Sequence, residues 1–317
     1  MRITVISLDQ WGYDSFIVRA LEKKGIDATH IDFSKYSYSY PTFFHKVYNF
    51  FAKAFAKHNI KKAFLHKKIN QELAKLPIQD QILMIKADHL LPQQINEIKK
   101  HGTKFIAYFS DSVAKCPKIK KIHHLFDEVY SYERKDVKKY GFKFITNYIY
   151  NDLPSKGEPL KYSVFNIGAF DRRIIIIEKI ARQLEKIAPN YKIISVGKKA
   201  TKYSSKGTNI IFTDKKMGLE EVYQNIQDAW ALLDVNKTIH SGLTFRVFES
   251  IGHRKKLITT NEDIINYDFY NPRNIAVITP QKVKIPNDFF SAPYQELPPN
   301  IFEKYMVDHW VKTVFKI

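Results

Sequence analysis

Short apolar segments alternate with amphipathic segments along the first half of the chain. The apolar segments have the length and β-branched content of strands and occupy residues 3–7, 28–33, 81–85, 104–109, 128–132 and 143–147. Residues 13–24 and 92–100 carry apolar positions at helical spacing, and Gly25 and Gly102 follow them as helix stops. Strands that alternate with helices predict a mostly parallel, doubly wound sheet.

The same alternation resumes after residues 151–161, a segment with two prolines, a glycine and few apolar positions, which we interpret as a linker. The pattern then predicts strands at 162–167, 192–196, 209–212, 229–235 and 256–260, and helices at 172–187, 219–226, 244–251 and 300–315. We therefore expect an α/β protein with a Rossmann-like domain at 1–152, a second at 153–298, and a C-terminal helix at 299–317 that can cross back to the first. Ligands of open α/β sheets bind at the carboxyl ends of the strands, so two such domains facing across a cleft would suit a two-part substrate.

Residues 43–76 form the segment richest in aromatic and basic side chains. On a helix, Phe43, Phe44, Val47, Tyr48, Phe50, Phe51, Ala54 and Phe55 share one face, and Lys46, Lys53 and Lys57 lie on the other. Two interpretations stay open: a core helix with a solvated lysine face, or a helix that docks on an anionic membrane surface.

The composition narrows the class of protein. The chain has 317 residues, of which 44% are hydrophobic, and no apolar run long enough to span a membrane. Its net charge of +19 favours anionic partners such as nucleic acid, acidic lipid or phosphorylated substrates, although a generally lysine-rich surface would give the same number. Cys116 is the single cysteine, which excludes an internal disulfide and a cysteine-based zinc site, so we expect a cytoplasmic protein.

Several catalytic motifs are absent from the sequence. No Gly-x-Gly-x-x-Gly turn follows the first strand, which argues against a fold that binds a nicotinamide or flavin dinucleotide. No P-loop motif occurs, which excludes a P-loop nucleotide site. No His-Glu-x-x-His or Gly-x-Ser-x-Gly motif occurs either. We expect no bound metal ion and no cofactor.

Residues 240–270 hold the most informative chemistry. Gly242 lets a ligand approach the backbone closely, and Thr244 can cap a helix whose N-terminus, with Lys237 and Arg246 beside it, would suit a diphosphate. Glu249 cannot bind phosphate, but it can accept two hydrogen bonds from the vicinal hydroxyls of a ribose. The alternative is that Glu249 pairs with Arg246 or Arg254 on the helix surface.

This segment resembles the donor site of bacterial GT-B glycosyltransferases, in the group related to the spore-maturation CgeB-like proteins and to capsule and lipopolysaccharide transferases. The matching pattern is Asp234-Val235-Asn236, then Ser-Gly-Leu-Thr, an Arg-x-Phe-Glu helix and a Lys-Leu-Ile-Thr-Thr-Asn strand. The segments WGYDSFIVRAL (11–21), YFSDSVAKCPKIKKIHHLFDEVYSYERKDVKKYGFKF (108–144) and FNIGAFDRRIIIIEKIA (165–181) resemble the same group, so the similarity covers most of residues 9–278.

The resemblance implies roles for individual residues. Glu249 would hold the ribose of a nucleotide-sugar, and the remaining donor-site residues would surround its phosphates. They are Gly168, Asp171, Arg172, Arg173, Lys237, His240, Ser241, Gly242, Leu243, Thr244 and Arg246. In one departure from the group, Arg254 stands where a glycine often follows, five positions after the glutamate; Gly252 can take over as the helix stop.

We therefore expect a glycosyltransferase that moves a sugar from a nucleotide diphosphate donor, with uridine diphosphate as the expected nucleotide, to a cell-envelope glycan or lipid-linked acceptor. The resemblance implies a leaving diphosphate stabilised by a helix dipole and basic side chains rather than by a metal. An inverting enzyme would need a general base in the first domain, and Asp111 is the first candidate and Asp14 the second, although either could instead cap a helix. The enzyme would work in the cytoplasm, peripherally at the inner face of the membrane. Two alternatives remain: a non-catalytic GT-B protein that binds nucleotide-sugar or glycan, and a basic nucleic-acid-binding protein, although no nucleic-acid recognition motif occurs.

Overall fold

The computed structural model describes residues 1–55, 59–154, 157, 159–237, 241–286 and 288–317, with the backbone alone for 52–55. The chain forms two compact units. Unit 1 consists of Met1–Ile145 together with Val311–Ile317, and unit 2 consists of Thr146–Trp310. The last seven residues therefore group with unit 1, and unit 2 is continuous in sequence.

Unit 1 is built on a parallel sheet with the strand order β2-β1-β3-β4-β5-β6. The strands are β1 (Arg2–Ser7), β2 (Asp27–Asp32), β3 (Gln79–Ile85), β4 (Gly102–Phe109), β5 (Glu128–Ser131) and β6 (Lys143–Phe144). The helices are α1 (Ser15–Glu22), α2 (Phe43–Phe55), α3 (Ile60–Leu73), α4 (Pro92–Lys99) and α5 (Arg134–Tyr140). Strand residues such as Ile82, Met84 and Phe105 are fully or almost fully buried, which explains why the strands read as continuous apolar runs.

Unit 2 is built on a second parallel sheet, with the strand order β12-β11-β10-β7-β8-β9. Its strands are β7 (Tyr162–Ala169), β8 (Lys192–Val196), β9 (Ile211–Thr213), β10 (Ala229–Asp234), β11 (Lys256–Thr259) and β12 (Ile275–Val277). Its helices are α6 (Ile174–Ile187), α7 (Leu219–Gln227), α8 (Phe245–Gly252), α9 (Pro299–Lys304) and the first residues of α10 (Val307–Phe315), which continues into unit 1.

Each sheet has one point at which the direction of strand addition reverses. In unit 1 the chain places β2 on one side of β1 and β3 on the other, and in unit 2 it places β8 on one side of β7 and β10 on the other. Loops diverge at such a point and leave a crevice at the carboxyl ends of the two central strands, where ligands of this fold class bind. The two candidate crevices therefore lie at the ends of β1 and β3 and at the ends of β7 and β10.

The α/β fold with two Rossmann-like units is confirmed, and the predicted strands are present. The single helix predicted at 300–315 is wrong, because α9 and α10 are separated at Met306. There the backbone turns to pair with another segment: Ile149 N–H donates to the Tyr305 carbonyl at 2.8 Å, and Val307 N–H donates to the Ile149 carbonyl at 2.9 Å. The strand predicted at 143–147 ends at Phe144, and the three-residue strand β12 was not predicted.

The end of α10 packs within unit 1. The buried Gln81 side chain donates from Nε2 to the Phe315 carbonyl at 2.9 Å, and Lys316 Nζ lies 2.6 Å from a carboxylate oxygen of Glu128. The C-terminal helix therefore does return to the first unit. Among the described residues, no helix combines the length and the apolar character needed to cross a bilayer.

Candidate functional site

The predicted donor-site residues come from the loops that follow β7 and β10, the strands at the reversal point of unit 2. Gly168 is the penultimate residue of β7 and pairs with Ser195 of β8. Asp171 and Arg173 lie in the turn between β7 and α6, and Lys237 follows β10. Arg172 is exposed in the same turn, and His240 lies outside the described residues.

An ion cluster joins the two loops. Arg173 binds Asp171 through two parallel contacts, Nε to Oδ1 at 2.8 Å and Nη2 to Oδ2 at 2.9 Å, and its Nη1 donates to the Val235 carbonyl at 2.9 Å. Lys237 Nζ lies 4.0 Å from Asp171 Oδ2. Burial alone would raise the pKa of Asp171, but hydrogen bonds from Arg173 outweigh it and hold the pKa below its usual value. One carboxylate and two cations give this cluster a net positive charge.

Asp234, the last residue of β10, connects this cluster to helix α8. Its Oδ1 accepts from Thr244 Oγ1 and its Oδ2 accepts from Thr259 Oγ1, both at 2.9 Å. Burial raises the pKa of Asp234, although these two hydrogen bonds and the nearby Arg246 and Arg173 partly offset it. Asp234 thus fixes the start of α8 against the end of β11.

Thr244 caps α8, as the sequence predicts. Its Oγ1 accepts from the backbone N–H of Arg246 at 3.2 Å while it donates to Asp234. A capped helix N-terminus beside basic side chains is a favourable place for an anion because the terminal N–H groups carry partial positive charge.

Two asparagines that sequence reasoning missed hold the loop before α8. Asn261 Nδ2 donates to the carbonyls of Ser241 and Gly242 at 3.0 and 3.3 Å, and Asn147 Nδ2 donates to the Leu243 carbonyl at 2.9 Å. Gly242 and Leu243 are buried. Asn147 lies outside the segment 240–270, and Asn261 ends the Lys-Leu-Ile-Thr-Thr-Asn motif, which gave no sign that its side chain reaches back to this loop.

Glu249 is almost completely buried, at 2% exposure. Its Oε1 accepts a hydrogen bond from the hydroxyl of Tyr150, and its Oε2 lies 2.8 Å from Nη1 of Arg246. The Arg246 guanidinium also lies 5.6 Å from the centre of the Phe165 ring. The pairing of Glu249 with Arg246 that the sequence left open is therefore present, but it is a buried ion pair rather than a surface one.

Arg254 does not pair with Glu249. It adopts a left-handed backbone with φ of 52°, the conformation that the glycine at this position in the resembling group would adopt most easily. Its guanidinium binds Asp152 and lies 3.4 Å from Glu296. Gly252 is needed for a different reason, since a Cβ there would lie 2.4 Å from the Asn151 carbonyl oxygen.

The two base candidates lie at the carboxyl ends of strands in unit 1 and differ in their surroundings. Asp14, in the loop between β1 and α1, has its pKa raised to about 7 by burial and by the charge of Asp9, with partial offset by a hydrogen bond from Ser7 and by Lys86. Asp111 forms ion pairs with Lys86 and Lys115. Burial would raise the pKa of Asp111, but these two lysines outweigh it and lower the pKa.

Asp111 is therefore held ionised, whereas Asp14 can bind and release a proton near neutral pH.

In the part of the chain that the structure describes, no group of three or more histidine, cysteine, aspartate and glutamate side chains could hold a metal ion.

Two parallel sheets, each reversing direction once, define a GT-B-like α/β fold. No family model and no curated protein matches the chain in sequence.

Solved structures with the same fold include enzymes that act on uridine nucleotides. The chain is similar to a UDP-forming α,α-trehalose-phosphate synthase from Burkholderia xenovorans, with a TM-score of 0.57 and 11% identity over 99% of this chain and 98% of that one. It is similar to an α-glucosyltransferase (AGT) in complex with UDP, with a TM-score of 0.55 and 12% identity over 99% and 90%. It is also similar to a UDP-GlcNAc 2-epimerase from Methanocaldococcus jannaschii in complex with UDP-GlcNAc and UDP, with a TM-score of 0.54 and 11% identity over 100% of both chains. Identities this low establish a shared fold.

Proposed function

We propose that this protein is a glycosyltransferase that transfers a sugar from a UDP-sugar to an acceptor hydroxyl. The observation that carries the proposal is the positively charged cluster of Asp171, Arg173 and Lys237 at the reversal point of unit 2, beside the capped N-terminus of α8. The binding of UDP by proteins of the same fold supports it.

The donor diphosphate would lie between the end of β7 and the start of α8. Gly168 lacks a side chain that could obstruct it, Arg173, Lys237 and Arg246 supply positive charge, and the first N–H groups of α8 supply partial charge. Preorganised charge of this kind stabilises the negative charge that develops on the leaving diphosphate, and such stabilisation is usually the largest contribution to catalysis. We expect activity to survive addition of a chelator.

Glu249 would contact the donor ribose. Its Oε1 accepts from the Tyr150 hydroxyl, and its Oε2 lies 2.8 Å from Nη1 of Arg246. Because Glu249 is buried, we propose that a ribose hydroxyl replaces the Tyr150 hydroxyl at Oε1, while the bond to Arg246 keeps that guanidinium in place for the diphosphate.

In an inverting reaction, the acceptor oxygen attacks the anomeric carbon, the bond from that carbon to the diphosphate oxygen breaks, and the acceptor proton passes to a general base. We propose Asp14 for this role ahead of Asp111, reversing the order expected from the sequence. A base works best with a pKa near the working pH, and Asp14 has a pKa of about 7 whereas two lysines depress that of Asp111.

We propose a cell-envelope glycan or a lipid-linked acceptor, because the sequence resembles capsule and lipopolysaccharide transferases. A panel of acceptors incubated with the preferred donor tests this choice directly. Transfer to a soluble intracellular hydroxyl compound alone would contradict it.

A panel of nucleotide-sugars, scored by thermal stabilisation and by release of free nucleotide, tests the proposed activity. We expect UDP-sugars to raise the melting temperature and to be hydrolysed slowly without acceptor. Stabilisation without turnover, even with acceptors, would indicate a non-catalytic binding protein, and no response to any nucleotide would overturn the proposal.

Charge variants test the diphosphate site. Arg173→Ala and Lys237→Ala should weaken binding of UDP more than binding of uridine, because only UDP carries the charge that these side chains would meet. Lys186→Ala removes an exposed lysine at the far end of α6 and serves as the matched control. Equal losses of affinity for UDP and uridine in both site variants would indicate that Arg173 and Lys237 do not contact the phosphates.

A further inference from the structure

Helix α2 exposes its aromatic side chains to solvent. Phe43, Phe44, Tyr48, Phe50 and Phe51 are between 51% and 80% exposed. A globular protein normally turns such a stripe toward its core, because removing large apolar side chains from water stabilises the fold. The core-helix interpretation of residues 43–76 is therefore wrong for this part of the segment.

The orientation of α2 is fixed from its other side. At about 100° per residue, the five aromatic positions cover an arc of roughly 160°, and Asn49 lies opposite the centre of that arc. Asn49 is 2% exposed, and it donates from Nδ2 to the Tyr40 hydroxyl at 2.6 Å and accepts at Oδ1 from the N–H of Ile60 at 2.9 Å. The helix is thus attached to unit 1 by a polar face, and the aromatic face points outward.

Lysines are frequent in the sequence around this face. Between Asp32 and Glu72 the sequence contains no acidic residue and carries these lysines: Lys35, Lys46, Lys53, Lys57, Lys61, Lys62, Lys67 and Lys68. Lys46 is exposed at the border of the aromatic arc, and Lys61 is exposed with its Nζ 5.0 Å from the Tyr40 ring. Lys57 lies outside the described residues, and the side chain of Lys53 is not described.

We propose that the aromatic face of α2 docks on the surface of a lipid bilayer that contains anionic lipid. Aromatic side chains partition into the boundary between headgroups and acyl chains, and lysines near an anionic surface add electrostatic attraction. The observed arrangement, an outward apolar arc bordered by the exposed Lys46 in a segment without acidic residues, suits both effects.

A second copy of the chain fits this surface less well. An antiparallel two-fold pairing of α2 with itself would place the Lys46 edge of each copy beside the same edge of its partner, and like charges would oppose the contact. A phosphate-bearing nucleic acid would satisfy the lysines but leave the five aromatic side chains on a convex helix in water.

Flotation with vesicles tests the proposal without any nucleotide. The protein should float with vesicles of phosphatidylcholine and phosphatidylserine and stay behind with phosphatidylcholine alone, and binding should fall as salt rises from about 0.05 to 0.5 M, because salt screens the attraction. Equal binding to both vesicles, or no binding to either, would overturn the proposal.

Matched variants identify the surface. Phe43→Gln/Phe44→Gln/Phe51→Gln should lower vesicle affinity at least about tenfold, and glutamine preserves helix propensity at exposed positions. The control Ile175→Gln/Ile187→Gln/Ile265→Gln removes three exposed apolar side chains from unit 2 and should bind as the unmodified protein does. Equal losses in both triple variants would show that α2 is not the docking surface.

A second pair of variants separates charge from apolar contact. Lys46→Glu/Lys61→Glu should lower affinity about tenfold or more and flatten the salt dependence, whereas Lys120→Glu/Lys186→Glu changes the net charge equally at exposed sites elsewhere and should have little effect. UDP affinity should be the same in all variants, so this test is independent of the proposed donor site.

Two results would overturn the proposal in favour of another partner. The first is a wild-type dimer that the triple glutamine variant converts to a monomer. The second is displacement of the protein from vesicles by duplex DNA, together with unchanged vesicle affinity in the triple glutamine variant.

Discussion

At the scale of single residues, the candidate site contains buried charged side chains that stabilise one another. Arg246 and Glu249 form an ion pair that is almost sealed from solvent, and Tyr150 adds a hydrogen bond from a position 99 residues away. Removing one partner of such a pair leaves a buried charge uncompensated and typically lowers stability by about 3–5 kcal/mol. Glu249→Ala should therefore lower stability as well as nucleotide affinity, so it cannot separate the two roles.

Glu249→Gln is the better probe, because it keeps the shape and one acceptor oxygen. If the carboxylate contacts the ribose, the variant should bind UDP about 10- to 100-fold more weakly, the range that corresponds to roughly 1.5–3 kcal/mol for hydrogen bonds to a charged group. It should also lose the preference for UDP over 2′-deoxy-UDP and 3′-deoxy-UDP. Calorimetric titration of the three nucleotides measures both effects.

Tyr150→Phe provides the control for this experiment. It removes the hydroxyl that contacts Glu249 but leaves the carboxylate and Arg246 in place, so discrimination between ribose and deoxyribose should persist. A Glu249→Gln protein that binds weakly yet still discriminates would limit Glu249 to holding Arg246.

Asp14 and Asp111 should change the pH dependence of folding stability in opposite directions. The folded pKa of Asp14, about 7, is above the value of about 3.9 for an unfolded aspartate, so the folded state binds this proton more tightly. Asp14 therefore lowers stability as pH rises from about 4 to 7, and Asp14→Asn should match the wild type at low pH and exceed it above neutrality. Asp111 has a depressed pKa, so its contribution is present at neutral pH and lost in acid, and Asp111→Asn should destabilise at pH 7.

Urea unfolding of both variants across this pH range measures the two effects. Plots of unfolding free energy against pH for Asp14→Asn and wild type that stay parallel from pH 4 to 8 would contradict the raised pKa.

In turnover assays of an inverting reaction, Asp14→Asn should lower the rate about 10²–10⁴-fold while nucleotide affinity persists. Full turnover would point to Asp111 or to a retaining mechanism.

At the scale of elements, local patterns predicted where strands and helices occur but not which face of a helix is buried. Periodicity placed eight apolar positions of 43–55 on one side, and the usual rule would turn that side inward. The outcome depends on Asn49, Tyr40 and Ile60, whose hydrogen bonds attach the opposite face to unit 1. Likewise, the break at Met306 depends on pairing with Ile149, which is far away in sequence.

Helix α8 ends against another segment in a way that requires glycine. A Cβ at Gly252 would meet the Asn151 carbonyl oxygen at 2.4 Å and Ile149 Cγ2 at 2.8 Å, so backbone must move to accommodate it. Gly252→Ala should therefore lower stability by about 1–3 kcal/mol, as overpacking does. Gly197→Ala is the control, since the nearest atom would be at an ordinary 3.5 Å and the expected change is within about 0.5 kcal/mol. Chemical denaturation compares them, and similar losses in both would contradict the close contact.

At the scale of the whole molecule, the order of strands and helices could be predicted because parallel sheets bury both faces and leave clear apolar runs in the sequence. The sequence also predicted that the candidate donor-site residues follow β7 and β10, and the reversal of strand order brings the ends of these two strands together. It did not predict the hydrogen bonds of Tyr150, Asn147 and Asn261, because these bonds join residues that are apart in sequence. The net charge of +19 indicated anionic partners, but a sum over the whole chain does not show which surface would meet them.

The grouping of Val311–Ile317 with unit 1 has a consequence for the order in which the protein is made. Unit 2 is a single stretch of chain, so it can fold once residue 310 has emerged from the ribosome. Unit 1 is completed only after unit 2 has been synthesised, because the buried amide of Gln81 bonds to the carbonyl of Phe315, which follows unit 2 in the chain. The unit that begins first is thus completed last, and loss of Val311–Ile317 should destabilise the unit that carries Asp14 and α2 while leaving the chain of unit 2 whole.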